Sequence, residues 1–226
     1  MTFALAKPAL DIGYFGDDLE VSQSFWGSSV GLTHQELLKV GQGVHQHRYR
    51  LHGGVLKLNV SRDPLPPSDS GLVRLRIAAD VDAPRHLIGP GGVVVDVVPM
   101  GHDGIRATEI TLAVRSIDET AMLLLSALGA ERDGGRLQIG ETLIALDHQP
   151  RRPRTTTMRA NGCTYLTAQI FDVVGQHARF LRKGFTEGQA PVRIGDTACI
   201  SFVRLPDGDW LELSQRASLT GALPEL

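Results

Sequence analysis

Cysteine is scarce in this chain of 226 residues, with only Cys163 and Cys199 present. They show no metal-type spacing and cannot make a disulfide framework, which points to a reducing compartment and to two small buried side chains rather than nucleophiles. Net charge is nearly absent as well, at −2, so nothing draws the chain generally to nucleic acid or to an anionic membrane. The one basic run, Arg151-Arg152-Pro153-Arg154, is short and interrupted by proline, and reads as a solvated linker rather than a phosphate site. No uninterrupted apolar run approaches the roughly 20 residues of a membrane span, and the opening MTFALAKPAL lacks the longer apolar region of a signal peptide. The expectation is a soluble cytoplasmic protein. Gly89-Pro90-Gly91-Gly92 lacks the helix and lysine that would follow in a phosphate loop, and reads as a turn.

What the chain has is apolar content, 42%, enough to bury a sizeable core, and an order of elements that recurs: strand, helix, then a group of strands. The clearest copy begins with a strand over Ala107 to Arg115. A helix follows over Ile117 to Leu128, with Asp118 and Glu119 in its first turn and Gly129 as its stop, and then a hairpin over Arg136 to Asp147. A second copy has a strand at Tyr165 to Phe171, a helix at Val174 to Lys183, a short strand at Val192 to Ile194, and a hairpin from Ala198 to Gln215 turning at Pro206-Asp207-Gly208. The chain opens with another: strand Leu10 to Phe15, helix Leu19 to Ser28 with Phe25 and Trp26 as core, and strands at Gln35 to Val40, Val44 to Leu51 and Val55 to Val60, with a turn at Gly41-Gln42-Gly43. After a Pro-rich connector, SRDPLPPSDS, a shortened copy offers a strand at Leu72 to Ala78, a poor helix around Ala83 to Leu87 and a buried strand at Val93 to Val98. Four modules in pairs imply an α+β protein of two domains, 1–102 and 103–226, whose sheets carry helices on one face and curve around a cavity on the other.

Strand parity in the second half segregates polar from apolar side chains. Glu109 and Thr111 share one side of a strand, Tyr165, Thr167 and Gln169 of another, Cys199 and Ser201 of a third, and Glu212 and Ser214 of the last; the opposite parity is apolar. A carboxylate such as Glu212, in mid-strand with a hydrophobic core behind it, is costly to bury without a partner, a metal or solvent. The polar set therefore lines a small-molecule pocket, with Thr111, Thr167, Gln169 and Ser201 as ligand-binding positions. Glu109 and Glu212 facing one cavity would repel, so that a cation lies between them or one pKa is raised. Without a metal, Glu212 or Glu109 is the candidate general base and Tyr165 the donor to a developing oxyanion; the bland alternative is that Glu212 and Tyr165 hydrogen-bond each other and merely close the cup. His45 and His47 share a strand face but lack an evident third ligand, His52 lies across a turn, and His102 and His148 fall in loops or at strand ends.

With FVRLPDGDWLEL from Phe202 to Leu213, ITLAVRSIDET from Ile110 to Thr120 and the recurring module, the chain resembles the vicinal oxygen chelate superfamily, which includes glyoxalase I, the bleomycin resistance proteins and the extradiol dioxygenases. The resemblance implies paired βαβββ modules forming half-barrels, each able to cup a divalent metal. Family ligands sit on first and closing strands of modules; here those positions carry Glu109, Tyr165, Ala145 and Glu212 in the C-terminal half, and Leu10 and Lys57 in the N-terminal half. Glu109 and Glu212 are thus the metal candidates, for Mg, Mn, Fe, Zn or Ni, and the N-terminal half is expected to be structural. Both histidines of an extradiol iron site are missing. Two functions stay open: a lyase or isomerase acting on a small oxygenated metabolite, with Glu212 and Tyr165 catalytic, or a metal-free binding or sequestration protein. A homodimer is compatible with the family habit of pairing modules between chains, although two pairs in one chain can also satisfy each other.

Overall fold

The computed structural model describes residues 3–41 and 44–226, so Gln42 and Gly43 of the expected glycine turn lie outside the described residues. The first module comprises β1 (Asp11–Gly16), α1 (Leu19–Gln23), β2 (His34–Gly41), β3 (Val44–Leu51) and β4 (Gly54–Ser61). The helix expected over Leu19 to Ser28 is α-helical only at its start, capped by Asp18, and continues as a π-helix over Ser24–Ser29 that buries Phe25 and Trp26. The second module has three strands, β5 (Leu72–Ala79), β6 (Arg85–Ile88) and β7 (Val94–Pro99). The poor helix expected around Ala83 to Leu87 is instead largely β6. That segment pairs antiparallel with the otherwise open edge of β7, which satisfies backbone groups a helix there would leave bare.

The third module runs β8 (Thr108–Val114), α2 (Ile117–Leu128), β9 (Glu131–Asp133), β10 (Arg136–Ile139) and β11 (Thr142–His148). Its helix has the expected bounds because both ends are written locally. Ser116 accepts from the Glu119 amide at 3.3 Å, and Gly129 takes the left-handed conformation at φ 60° that closes the last turn. The fourth runs β12 (Gly162–Gln169), α3 (Val173–Arg182), β13 (Thr186–Ile194), β14 (Ala198–Arg204) and β15 (Trp210–Arg216). β13 is longer than expected because it is an edge strand, where Pro191 and two register shifts are tolerated.

Hydrogen bonding joins the modules first to fourth and second to third. One sheet has the order β13-β14-β15-β12-β1-β4-β3-β2 and the other β6-β7-β5-β8-β11-β10-β9. Each is built alike: two first strands lie antiparallel at the centre, β1 with β12 and β5 with β8, and each is flanked in parallel by its own module's closing strand. A division at 102/103 therefore separates β5–β7 from β8–β11 within the second sheet. The architecture is α+β with repeated modules, and one apolar core containing Ile12, Leu58, Leu75, Ile110, Leu166 and Leu213 runs through both sheets.

The PDGD turn ahead of β15 ties the sheets together. Asp207 accepts from the Arg115 amide at 2.7 Å, and Asp209 accepts from the Gly71 amide at 2.6 Å and from Arg152 at 2.5 and 2.8 Å. Arg152, expected in a solvated linker, is thus a buried guanidinium with a bidentate carboxylate. Among the described residues no helix is long and apolar enough to cross a membrane.

Candidate functional site

The concave face of the first sheet bounds a cavity of about 530 Å³. On β12 and β15 the alternation holds, since Tyr165, Gln169, Glu212 and Ser214 line the cavity while Leu166, Ala168, Leu211 and Leu213 enter the core. Thr167 stands beside Glu212 in register.

On β14 the alternation is inverted. Phe202 is the register partner of Glu212 and, with Ile200, lines the cavity, whereas Ser201 lies opposite core residue Leu213. Ser201 therefore does not line this cup, and its hydroxyl is buried with no partner among the described residues. Cys199, on the same parity, belongs to the core. The Cys163 thiol on β12 is pushed up to about 12 by burial, which keeps it protonated.

Glu109 and Thr111 belong to β8 and hence to the second sheet, so Glu109 and Glu212 are not brought together. The reason is topological: the third module pairs with the second, carrying Glu109 away from the fourth module's closing strand. Its carboxylate is buried and held by Arg136 at 2.9 Å and Arg76 at 3.3 Å.

The first module supplies half of the cup. β1 is offset by one residue from the sequence reading, so that Leu10 enters the core and Asp11 is drawn into the polar cluster. Lys57 of β4 extends its ammonium across the floor, donating to Thr167 Oγ1 and to Glu212 Oε2, each at 2.7 Å, with Asp11 Oδ2 at 3.7 Å. Thr167 Oγ1 in turn donates to Glu212 Oε2 at 2.6 Å. Asp11 also accepts from Lys7 at 2.8 Å and from Gln169 Nε2 at 3.0 Å. Burial raises the Asp11 pKa, but Lys57 and Lys7 overcome it and hold the group below the usual carboxylate range.

Tyr165 does not bond Glu212. Its hydroxyl accepts from Asn59 Nδ2 at 3.1 Å, and burial, followed by the Glu212 charge, pushes its pKa up, so it is a neutral phenol. Its ring lies over Gly13, where an added Cβ would meet the ring at 1.9 Å; only glycine leaves β1 flat enough for it. Asn59 and Asp11 escaped the sequence reading. The available signal for Asp11 was one carboxylate between Leu10 and Ile12, in a strand otherwise without charge. His45 and His47 lie on β3 at the parity opposite cavity-lining Gln46 and Arg48, and His47 instead meets Gln23 at 3.1 Å.

These donors do not fit a divalent metal. The cation between Glu212 and Asp11 is the Lys57 ammonium, which has no lone pair to offer and repels a dication. Among the described residues no three His, Cys, Asp or Glu side chains converge as a metal site. What the array can do is present a fixed positive charge and a carboxylate to a bound molecule. Among the described residues, both hydrogen bonds to Glu212 fall on Oε2.

Two pairs of related modules, three of them βαβββ and the second reduced to three strands, with a cup on one sheet, define the fold: it is the glyoxalase-like, vicinal oxygen chelate fold. Among solved structures, the chain is similar to glyoxalase I from Zea mays, with 12% identity, a TM-score of 0.70 and 92% of each chain covered. It is also similar to a putative dioxygenase from Bacillus subtilis, with 13% identity, a TM-score of 0.64 and coverage of 95% of this chain and 86% of that one. The cppA protein from Streptococcus pneumoniae matches at 8% identity and a TM-score of 0.58, over 95% of this chain and all of its own. No family model and no curated protein matches the sequence.

Proposed function

We propose that the chain is a metal-independent protein of the glyoxalase fold that binds a small oxygenated metabolite in the cup shared by its first and fourth modules. The observation that carries this reading is the Lys57 ammonium, 2.7 Å from Glu212 and 3.7 Å from Asp11, standing where a bound cation would have to be. A 530 Å³ cavity with an apolar wall and a few fixed polar groups suits a metabolite-sized ligand. Purified protein equilibrated with Mg, Mn, Zn, Ni or ferrous iron is expected to retain none stoichiometrically, and chelation to leave its melting temperature unchanged. A stoichiometric metal that is lost in Glu212→Ala would overturn the reading.

A lyase or isomerase activity is the second reading, favoured by one observation: Glu212 lines the cavity while both its hydrogen bonds use Oε2, which leaves Oε1 for a ligand. In that case Oε1 takes a proton from carbon beside a carbonyl, the Lys57 ammonium faces the oxyanion formed, and neutral Tyr165 flanks it. Solvent deuterium entering a bound 2-oxo acid or 2-hydroxy ketone, and its loss in Glu212→Gln with binding retained, separates catalysis from sequestration. Both module pairs close within one chain, so the cup requires no second copy. Ligand binding independent of protein concentration is the expected result in sedimentation experiments.

A further inference from the structure

The cup is electrically lopsided. Among the described residues five cationic side chains line it, Lys39, Arg48, Lys57, Arg159 and Arg216, against the single carboxylate Glu212. Counting Asp11 below the floor and Glu36 behind Arg48 lowers the surplus from four to two. These three carboxylates are already engaged: Glu212 by Lys57 and Thr167, Asp11 by Lys7 and Gln169, Glu36 by Arg48 at 3.0 Å.

Arg48 is the informative member. Its side chain is 5% exposed, yet among the described residues its Nε is buried without a partner and its one carboxylate, Glu36, is 46% exposed. A buried guanidinium N–H with nothing to donate to is costly unless a ligand supplies the acceptor. Arg216, at the end of β15, lines the same cavity. Burial and then the neighbouring Arg48 hold its pKa below the ordinary arginine value, with Glu36, Asp11 and Glu212 acting the other way. Two guanidiniums brought together in a half-dehydrated wall repel unless an anion joins them. The opposite character gathers elsewhere in the cup, where Phe15, Val44, Tyr165 and Phe202 form a separate apolar cluster with Met158 and Ile200 packed against it.

From this polarity we infer that the ligand is an amphipathic organic oxyanion, its carboxylate or phosphate held by Arg48 and Arg216 and its apolar body laid on the Phe15–Phe202 cluster. The inference rests on the cup being the binding site and adds the chemical class of what it binds. Arginine pairs suit either oxyacid, since the planar fork meets two oxygens at once.

Calorimetric titration of the full chain with octanoate, octyl phosphate, octan-1-ol and octylammonium tests it. The two acids are expected to bind at least about tenfold more tightly than the alcohol, and the ammonium more weakly than the alcohol. Whichever acid binds better identifies the head group. Arg216→Gln and Arg48→Met are expected to remove the advantage of the acids over the alcohol. Arg216 is only partly buried, so its variant decides the matter if Arg48→Met does not fold. Neither acid binding more tightly than octanol, or an advantage of the acids that survives in Arg216→Gln, would overturn the inference while leaving the cup as the site. If none of the four probes binds, the binding reading falls with it.

Discussion

The two sheets repeat one plan and use their carboxylates in opposite ways. In the second, Glu109 on a first strand is clamped by two arginines, one of which, Arg76, also pairs with Asp103, a residue whose side chain is 60% exposed. In the first, Glu212 on a closing strand meets one ammonium, Lys57, which it shares with Thr167 and with Asp11 nearby, and the cluster floors a cavity. The lesson is that a buried carboxylate in this architecture is not by itself a sign of chemistry. Its meaning depends on whether its counter-charge is redundant and faces outward, or single and faces a cavity.

The contrast breaks most sharply at the counter-charges. Lys57→Met leaves Glu212 without its cation and deprives Asp11 of one of two, and is expected to destabilise the protein by about 3–5 kcal/mol. Arg136→Met leaves Arg76 on Glu109 and should cost about 1–2 kcal/mol. Equal losses in guanidinium unfolding would show that the two sites are equivalent. Next in size is Gly13→Ala, whose methyl group must displace the Tyr165 ring. A loss of about 1–3 kcal/mol is expected, together with altered ligand binding, because Tyr165 lines the cup. Unchanged binding in a variant of lowered melting temperature would place the ring outside the ligand's reach.

Acid separates the sheets more finely. Asp11 is held below the usual carboxylate value, so it stabilises the fold at and above that value, and the contribution is lost as pH falls through about 4 and lower. Asp11→Asn should therefore lose less stability than the parent between pH 7 and pH 3. Asp103 is likewise lowered, first by its hydrogen bond to Arg76 and then by His102, but it is exposed. Its effect should fade in 1 M salt, whereas that of Asp11 should persist. Matched pH titrations of both Asn variants at two ionic strengths make the comparison, and a salt-sensitive Asp11 would contradict its burial.

The module order, the bounds of α2 and the inward faces of β12 and β15 were legible because each is written within a few residues: a cap, a stop, an alternation. Partner choice is not local. Nothing in residues 107–115 says that β8 will lie against β5 rather than beside β1, and the union of Glu109 with Glu212 failed at that step. Ser201 failed on register, since a pleat has two faces and only its neighbour, Phe202 opposite Glu212, tells which is which. Leu10 and Asp11 differ by the same single residue. Lys57 was legible as a residue unable to bind metal, but its place between two carboxylates comes from a hydrogen bond spanning 155 positions of sequence.

That span has a consequence for how the protein is made. The second sheet uses one continuous stretch, residues 72–148, and can pair its strands as soon as that stretch has emerged from the ribosome. The first sheet cannot. β1 must wait for β12, and Asp11 for Gln169, 158 residues later, with one flank of its module unpaired in the meantime. The cup therefore needs both the first and the last quarters of the chain, and a chain that stops short of β12 and β15 has the second sheet's strands but no cup.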